Sequence, residues 1–150
     1  TMYTFWKRTC PPPTLSTFDA PDREVCTVRR GRTNTPLQAL VLLNDPTYVE
    51  ASRKLAERVL GPDGGDSTDS RLSFAFRVVT GRHPGEKEIA ILNHVLDGQL
   101  AKYRADHAAA EKLLAVGESP RDASKDVGDL AAWATVASAL LNLDEVVNRN

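Results

Sequence analysis

The sequence predicts an all-α fold: an irregular helical bundle of about six helices, preceded by an extended Pro-rich N-terminal arm. Three observations lead there. From residue 36 onward, apolar residues recur at the three- and four-residue spacing of a helix face. Each such run is bounded by recognisable start and stop residues. No stretch alternates apolar and polar residues as a half-buried strand does.

Residues 1–33 read as a short aromatic helix and then the arm. Thr1-Met2-Tyr3-Thr4-Phe5-Trp6 presents large apolar and aromatic residues with no capping residue ahead of them, so a fragment of a longer protein is expected. Pro11-Pro12-Pro13 cannot continue a helix, and Pro21 interrupts again. Residues 24–28 suit an extended stretch.

The helical body occupies residues 34–150, so that the whole chain, 1–150, reads as a single domain. Thr35-Pro36-Leu37-Gln38 carries a complete start signal, with Thr35 as N-cap, Pro36 in the first turn and Gln38 able to close a capping box. That helix stops near Leu43, and Asp45-Pro46 starts the next, with Tyr48, Ala51, Leu55 and Val59 on one stripe as far as Gly61-Pro62. A third helix over 68–80 turns Leu72, Ala75, Phe76 and Val79 inward and stops at Gly81. The fourth, over 86–104, places Ile89, Leu92, Leu96, Leu100 and Tyr103 at helical spacing. Asp106 caps a short alanine-rich helix ending at Gly117, and Asp126 caps a last one with Leu130, Trp133, Ala134, Ala137 and Leu141 on its stripe.

Charge bounds the function classes. A net charge of −1 over 150 residues argues against a nucleic-acid binder, and no apolar run is long enough to span a membrane. Charge is uneven, since residues 1–40 hold six Lys/Arg against three acids. The polar residues of that segment are the candidate site: Asp19, Asp22, Arg23, Glu24, Arg29, Arg30, Arg32, Asn34, Gln38 and Asn44. Asp19, Asp22 and Glu24 are able to serve as acid and base or as oxygen ligands, although the spacing lacks the alternation and turn glycine of a calcium loop. Arg29, Arg30 and Arg32 present forked donors suited to a carboxylate, phosphate or sugar. The simpler reading pairs these acids and arginines with each other.

Other chemistry finds little support. His83, His94 and His107 lack the spacing of metal ligands, no nucleophile elbow occurs, and Cys26 has no nearby histidine to activate it. Cys10 and Cys26 read as unpaired, partly buried thiols, and a bridge between them is the alternative in an exported protein. No Cys-x-x-Cys-His motif for haem attachment is present, so this chain is expected to hold neither a metal nor a cofactor.

Four segments carry a resemblance: Tyr3-Thr4-Phe5-Trp6-Lys7-Arg8, Thr17-Phe18-Asp19-Ala20-Pro21-Asp22-Arg23-Glu24, residues 33–46 from Thr33-Asn34-Thr35-Pro36 to Leu43-Asn44-Asp45-Pro46, and Leu140-Leu141-Asn142-Leu143-Asp144-Glu145. In this order they resemble the C-terminal domain of planctomycete cytochrome c-domain-containing proteins, the domain of unknown function 1553 family. Cys10 and Gly85 depart from the pattern, the latter where a Ser or Thr cap is usual. The resemblance implies a large exported protein, periplasmic or at the cell surface, with haem c, when present, in another part of the parent chain. It transfers no catalytic residue. The reading it favours is a structural and interaction module whose partners are the other domains of the parent. The alternative is part of an extracellular hydrolase or polymer-binding enzyme using the Asp19/Asp22/Glu24 and Arg29/Arg30 cluster.

Overall fold

All six helices expected of the body are present in the computed structural model, which is described for residues 4–148 apart from 8, 22, 23, 30 and 32. No strand occurs among these residues. The chain divides into two compact units, Thr1–Val41 and Leu42–Asn150.

In the first unit the N-terminal aromatic helix is not formed by its described residues. Cys10 N–H instead donates to the Lys7 carbonyl at 3.1 Å, making a tight turn. Phe5 is 82% exposed. A helix of so few residues does not stand alone in water. The proline run, expected only to forbid a helix, starts one: α1 (Pro13–Thr17) has Pro13 at its first position, where the missing N–H would be unpaired in any case. Residues 24–28 form bends and irregular backbone rather than an extended strand. Cys10 and Cys26 are unpaired and both exposed, not partly buried, because the irregular turns around them offer no core.

α2 (Pro36–Asn44) begins with the expected capping box. Gln38 N–H donates to Thr35 Oγ1 at 3.3 Å, and Thr35 N–H donates to Gln38 Oε1 at 2.9 Å.

The second unit contains α3 (Pro46–Val59), α4 (Thr68–Thr80), α5 (Glu86–Ala105), α6 (His107–Leu114), α7 (Val127–Leu141) and α8 (Asp144–Val147), with a 3-10 turn at Pro62–Gly64. Each start has its own chemistry. Asp45, Asp106 and Asp126 accept from the backbone N–H groups of Thr47, Ala109 and Asp129, each at 2.9 Å. Gly85 offers α5 no side-chain cap, but the Glu88 carboxylate accepts from Gly85 N–H at 2.7 Å and supplies half of a capping box. Gly81 ends α4 at φ 82°, a left-handed position that a side chain would strain.

The stripe expected on α3 is displaced. Its buried residues are Ser52, Arg53, Ala56 and Val59, whereas Ala51 is exposed. A hydropathy pattern passes over Ser52 and Arg53, yet both bury with partners, as buried polar groups must. Ser52 Oγ donates to the Tyr48 carbonyl at 2.8 Å, and Arg53 Nη2 donates to the Ser119 carbonyl at 2.7 Å.

The core is organised around α7, which packs against α3, α5 and α6. Its run from Leu130 to Ala134 is buried without interruption, as are Val136, Ala137 and Leu140. The helix is therefore enclosed nearly all round rather than along one stripe, with Leu140 inside and Leu141 half-buried. Its alanines let neighbouring helices approach, and Trp133 fills the space between them. Full burial of a leucine such as Leu130 stabilises by about 1.5–3 kcal/mol before entropy is counted.

Candidate functional site

The candidate polar segment is assembled around Gln38, which is 2% exposed. α2 fixes its backbone, and the side chain reaches back across the arm. Gln38 Nε2 donates to the Thr17 carbonyl at 2.8 Å and to Thr33 Oγ1 at 3.0 Å, with Asp19 Oδ2 at 3.5 Å. Thr33 donates its N–H to Asp19 Oδ2 at 2.8 Å, and its hydroxyl lies 2.8 and 3.0 Å from the two Asp19 oxygens. Asp19 stands at φ 57°, a left-handed conformation that Asp tolerates better than most residues. A carboxylate, a hydroxyl and an amide thus tie the arm to the start of α2.

Of the other candidates, Glu24 and Arg29 are exposed. Asn34 precedes the cap of α2 and Asn44 is its last residue. The helix length of roughly 13 Å separates them. Asp22, Arg23, Arg30 and Arg32 lie outside the described residues.

A second polar cluster, in the helical unit, was not expected from the sequence. Glu50 on α3 accepts from Glu118 N–H at 2.7 Å, from Ser119 N–H at 3.2 Å and from the Ser119 hydroxyl in a short contact. Those donors hold its carboxyl below the usual carboxylate range, the Ser119 hydroxyl being the largest cause. One turn on, Lys54 Nζ donates to Glu57 and to the Pro120 carbonyl, each at 2.8 Å, and Glu57 accepts from Asp122 N–H at 3.0 Å. Lys125 Nζ donates to the Leu60 carbonyl at 2.9 Å. One polar side of α3 therefore holds down the loop between α6 and α7. Gly117 turns at φ 104° there, and a Cβ on it would lie 2.8 Å from Glu50 Cβ.

Residues 1–96 match a family described as PSD1, a protein of unknown function, DUF1553. The chain belongs to the DUF1553 family. No curated protein and no solved structure matches it. In this DUF1553 chain the matched segment contains the whole Gln38 cluster and the α3 half of the second cluster, and it ends at Leu96, inside α5. The loop that Glu50 and Arg53 grip, and the central helix α7, follow it in the same structural unit.

A third set of charges joins distant parts of the helical unit. The Arg82 guanidinium lies 4.7 Å from the centre of the Phe76 ring, over its face. It pairs with Glu88 at 2.6 Å and with Glu145 of α8 at 2.8 Å. Arg82 and the Gly85 N–H lower the Glu88 pKa to about 2. Among the described residues no helix is long and apolar enough to cross a membrane.

The only sequence signal for the Glu50–Ser119 cluster is the phase of α3. Shifting its stripe by one residue puts Arg53 on the buried side, and a buried arginine requires acceptors that a loop carbonyl supplies. Nothing in the local sequence points to Ser119 as that partner.

Proposed function

We propose that this chain is a structural and interaction module of a larger exported protein, docking onto a neighbouring domain of the same parent through the outer face of α2. Any haem of that parent is carried outside this module.

The observation that carries this reading is the leucine face of α2. Gln38 and Leu42 are buried on one side of the helix, while Leu37, Leu40 and Leu43 remain 56%, 57% and 48% exposed at three-residue spacing. Covering them would add about 1 kcal/mol or more per side chain at the usual area coefficient. The polar groups around them hold structure together: Asp19, Gln38 and Thr33 bind each other. The family resemblance supports export and a haem-bearing neighbour.

The test uses the full-length parent. α2 amides should be protected from hydrogen exchange, and Leu37→Glu with Leu40→Glu should remove that protection while helical content is retained. Protection unchanged by both substitutions would overturn the docking surface, and turnover of a defined polymer lost on Asp19→Asn would overturn the module reading. Cell fractionation and haem absorbance of the parent test export and the haem-bearing neighbour.

A further inference from the structure

We propose that the bond after Arg29 is a processing site for an arginine-specific endoprotease, one whose specificity pocket holds a carboxylate for the guanidinium. Such an enzyme draws several residues of its substrate into an extended strand against its own backbone, so the segment must be exposed and free to straighten. Residues 24–29 meet both conditions. All six are exposed, Val25 at 70% and Val28 at 99%. Their backbone is bent or irregular. Across Val25–Arg29 the one hydrogen bond is a long one, from Thr27 Oγ1 to the Val25 carbonyl at 3.5 Å. Straightening this stretch therefore costs almost no native contact, and it places Arg29 in the specificity pocket with Val28 before it.

Comparison with the other cations singles Arg29 out. Outside the helices the remaining described lysines and arginines are Lys7, Arg82, Arg121 and Lys125, and each is tied. The Lys7 carbonyl accepts from Cys10 N–H at 3.1 Å, and the Arg82 guanidinium grips Glu88 and Glu145. Across the bond after Arg121, Asp122 N–H donates to Glu57 at 3.0 Å, and Lys125 Nζ donates to the Leu60 carbonyl at 2.9 Å. Lysines and arginines within helices become available only when a turn or more opens. Arg29 carries no such tie among the described residues. Hydrolysis adds water across the bond, leaving a carboxylate on Arg29 and an amino group on Arg30. Thr17 and Asp19 then lie on one piece, Gln38 and Thr33 on the other, and the hydrogen bonds between them hold the two together. The cut is thus a nick without release, and it does not rest on docking through α2.

The experiment exposes the full-length parent to a limiting amount of trypsin and follows the fragments by mass spectrometry and size-exclusion chromatography. Within residues 1–150 the first cut should fall after Arg29, about tenfold or more faster than at any helical lysine or arginine, where cleavage waits on local opening. The two pieces should elute together. A first cut elsewhere in these residues, a neighbouring arginine of the arm included, would overturn the site. Elastase, whose pocket takes only small residues, separates an open segment from an arginine site. If elastase cuts after Val28 while trypsin spares the bond after Arg29, the arginine-specific class is wrong. Pieces that part without denaturant would overturn the retained nick.

Discussion

Glu50 and Ser119 are 69 residues apart in sequence, yet the carboxylate of one accepts both the N–H and the hydroxyl of the other. This pairing closes the loop after α6 against the middle of α3. It makes a charged residue a structural part, and its charge state then matters to the fold.

Glu50→Gln should lower the melting temperature at neutral pH. The folded-state pKa of Glu50 is depressed below its ordinary value of 4.5, so its contribution is present above that value and is lost as pH falls below it. The gap between Glu50→Gln and the unsubstituted chain should therefore narrow on acidification, as read by thermal unfolding at several pH values. A gap independent of pH would show that shape, not charge, holds the loop.

Gln38→Leu should destabilise the arm and the first turn of α2 by about 1–3 kcal/mol, because the Thr17 carbonyl and Thr33 hydroxyl lose a buried donor. Hydrogen exchange at Thr33 and Thr35 reports it. Faster exchange at both, with α7 unchanged, is the expected pattern.

Arg82→Gln should release α8, whose Glu145 it holds. The Arg82–Glu88 pair makes a second, pH-dependent signature. With Glu88 lowered to about 2 from 4.5, its contribution is complete above 4.5 and disappears as pH falls towards 2. The groups are partly exposed, so added salt should also weaken it. Urea unfolding of the unsubstituted chain and the variant should converge at low pH, and persistence of the difference there would count against the pairing.

The helix starts were legible because they are written locally: Asp45-Pro46, Asp106 and Asp126 act on residues within a turn of themselves. The Thr35–Gln38 capping box was legible for the same reason. Burial phase was harder. Ser52 and Arg53 look like surface residues until their partners at Tyr48 and Ser119 are known, and the second of these is fixed by tertiary packing alone. α1 was missed because a proline run signals a helix start as well as a stop. At the candidate site, Gln38 was legible as a cap, but its grip on Thr17 and Thr33 depends on how the arm folds back.

The central place of α7 bears on how the chain reaches its native state. Its main partners include α3, which precedes it by more than sixty residues, and α5. During synthesis from the N-terminus, Ala56, Val59, Leu72 and Phe76 therefore emerge before the helix that covers them has been made. Long-range partners of this kind delay collapse to the native core and leave apolar surface open to chaperones or to self-association in the interval. The core of this unit cannot close until residues 127–141 have been made, so a ribosome stall before them prolongs the vulnerable stage.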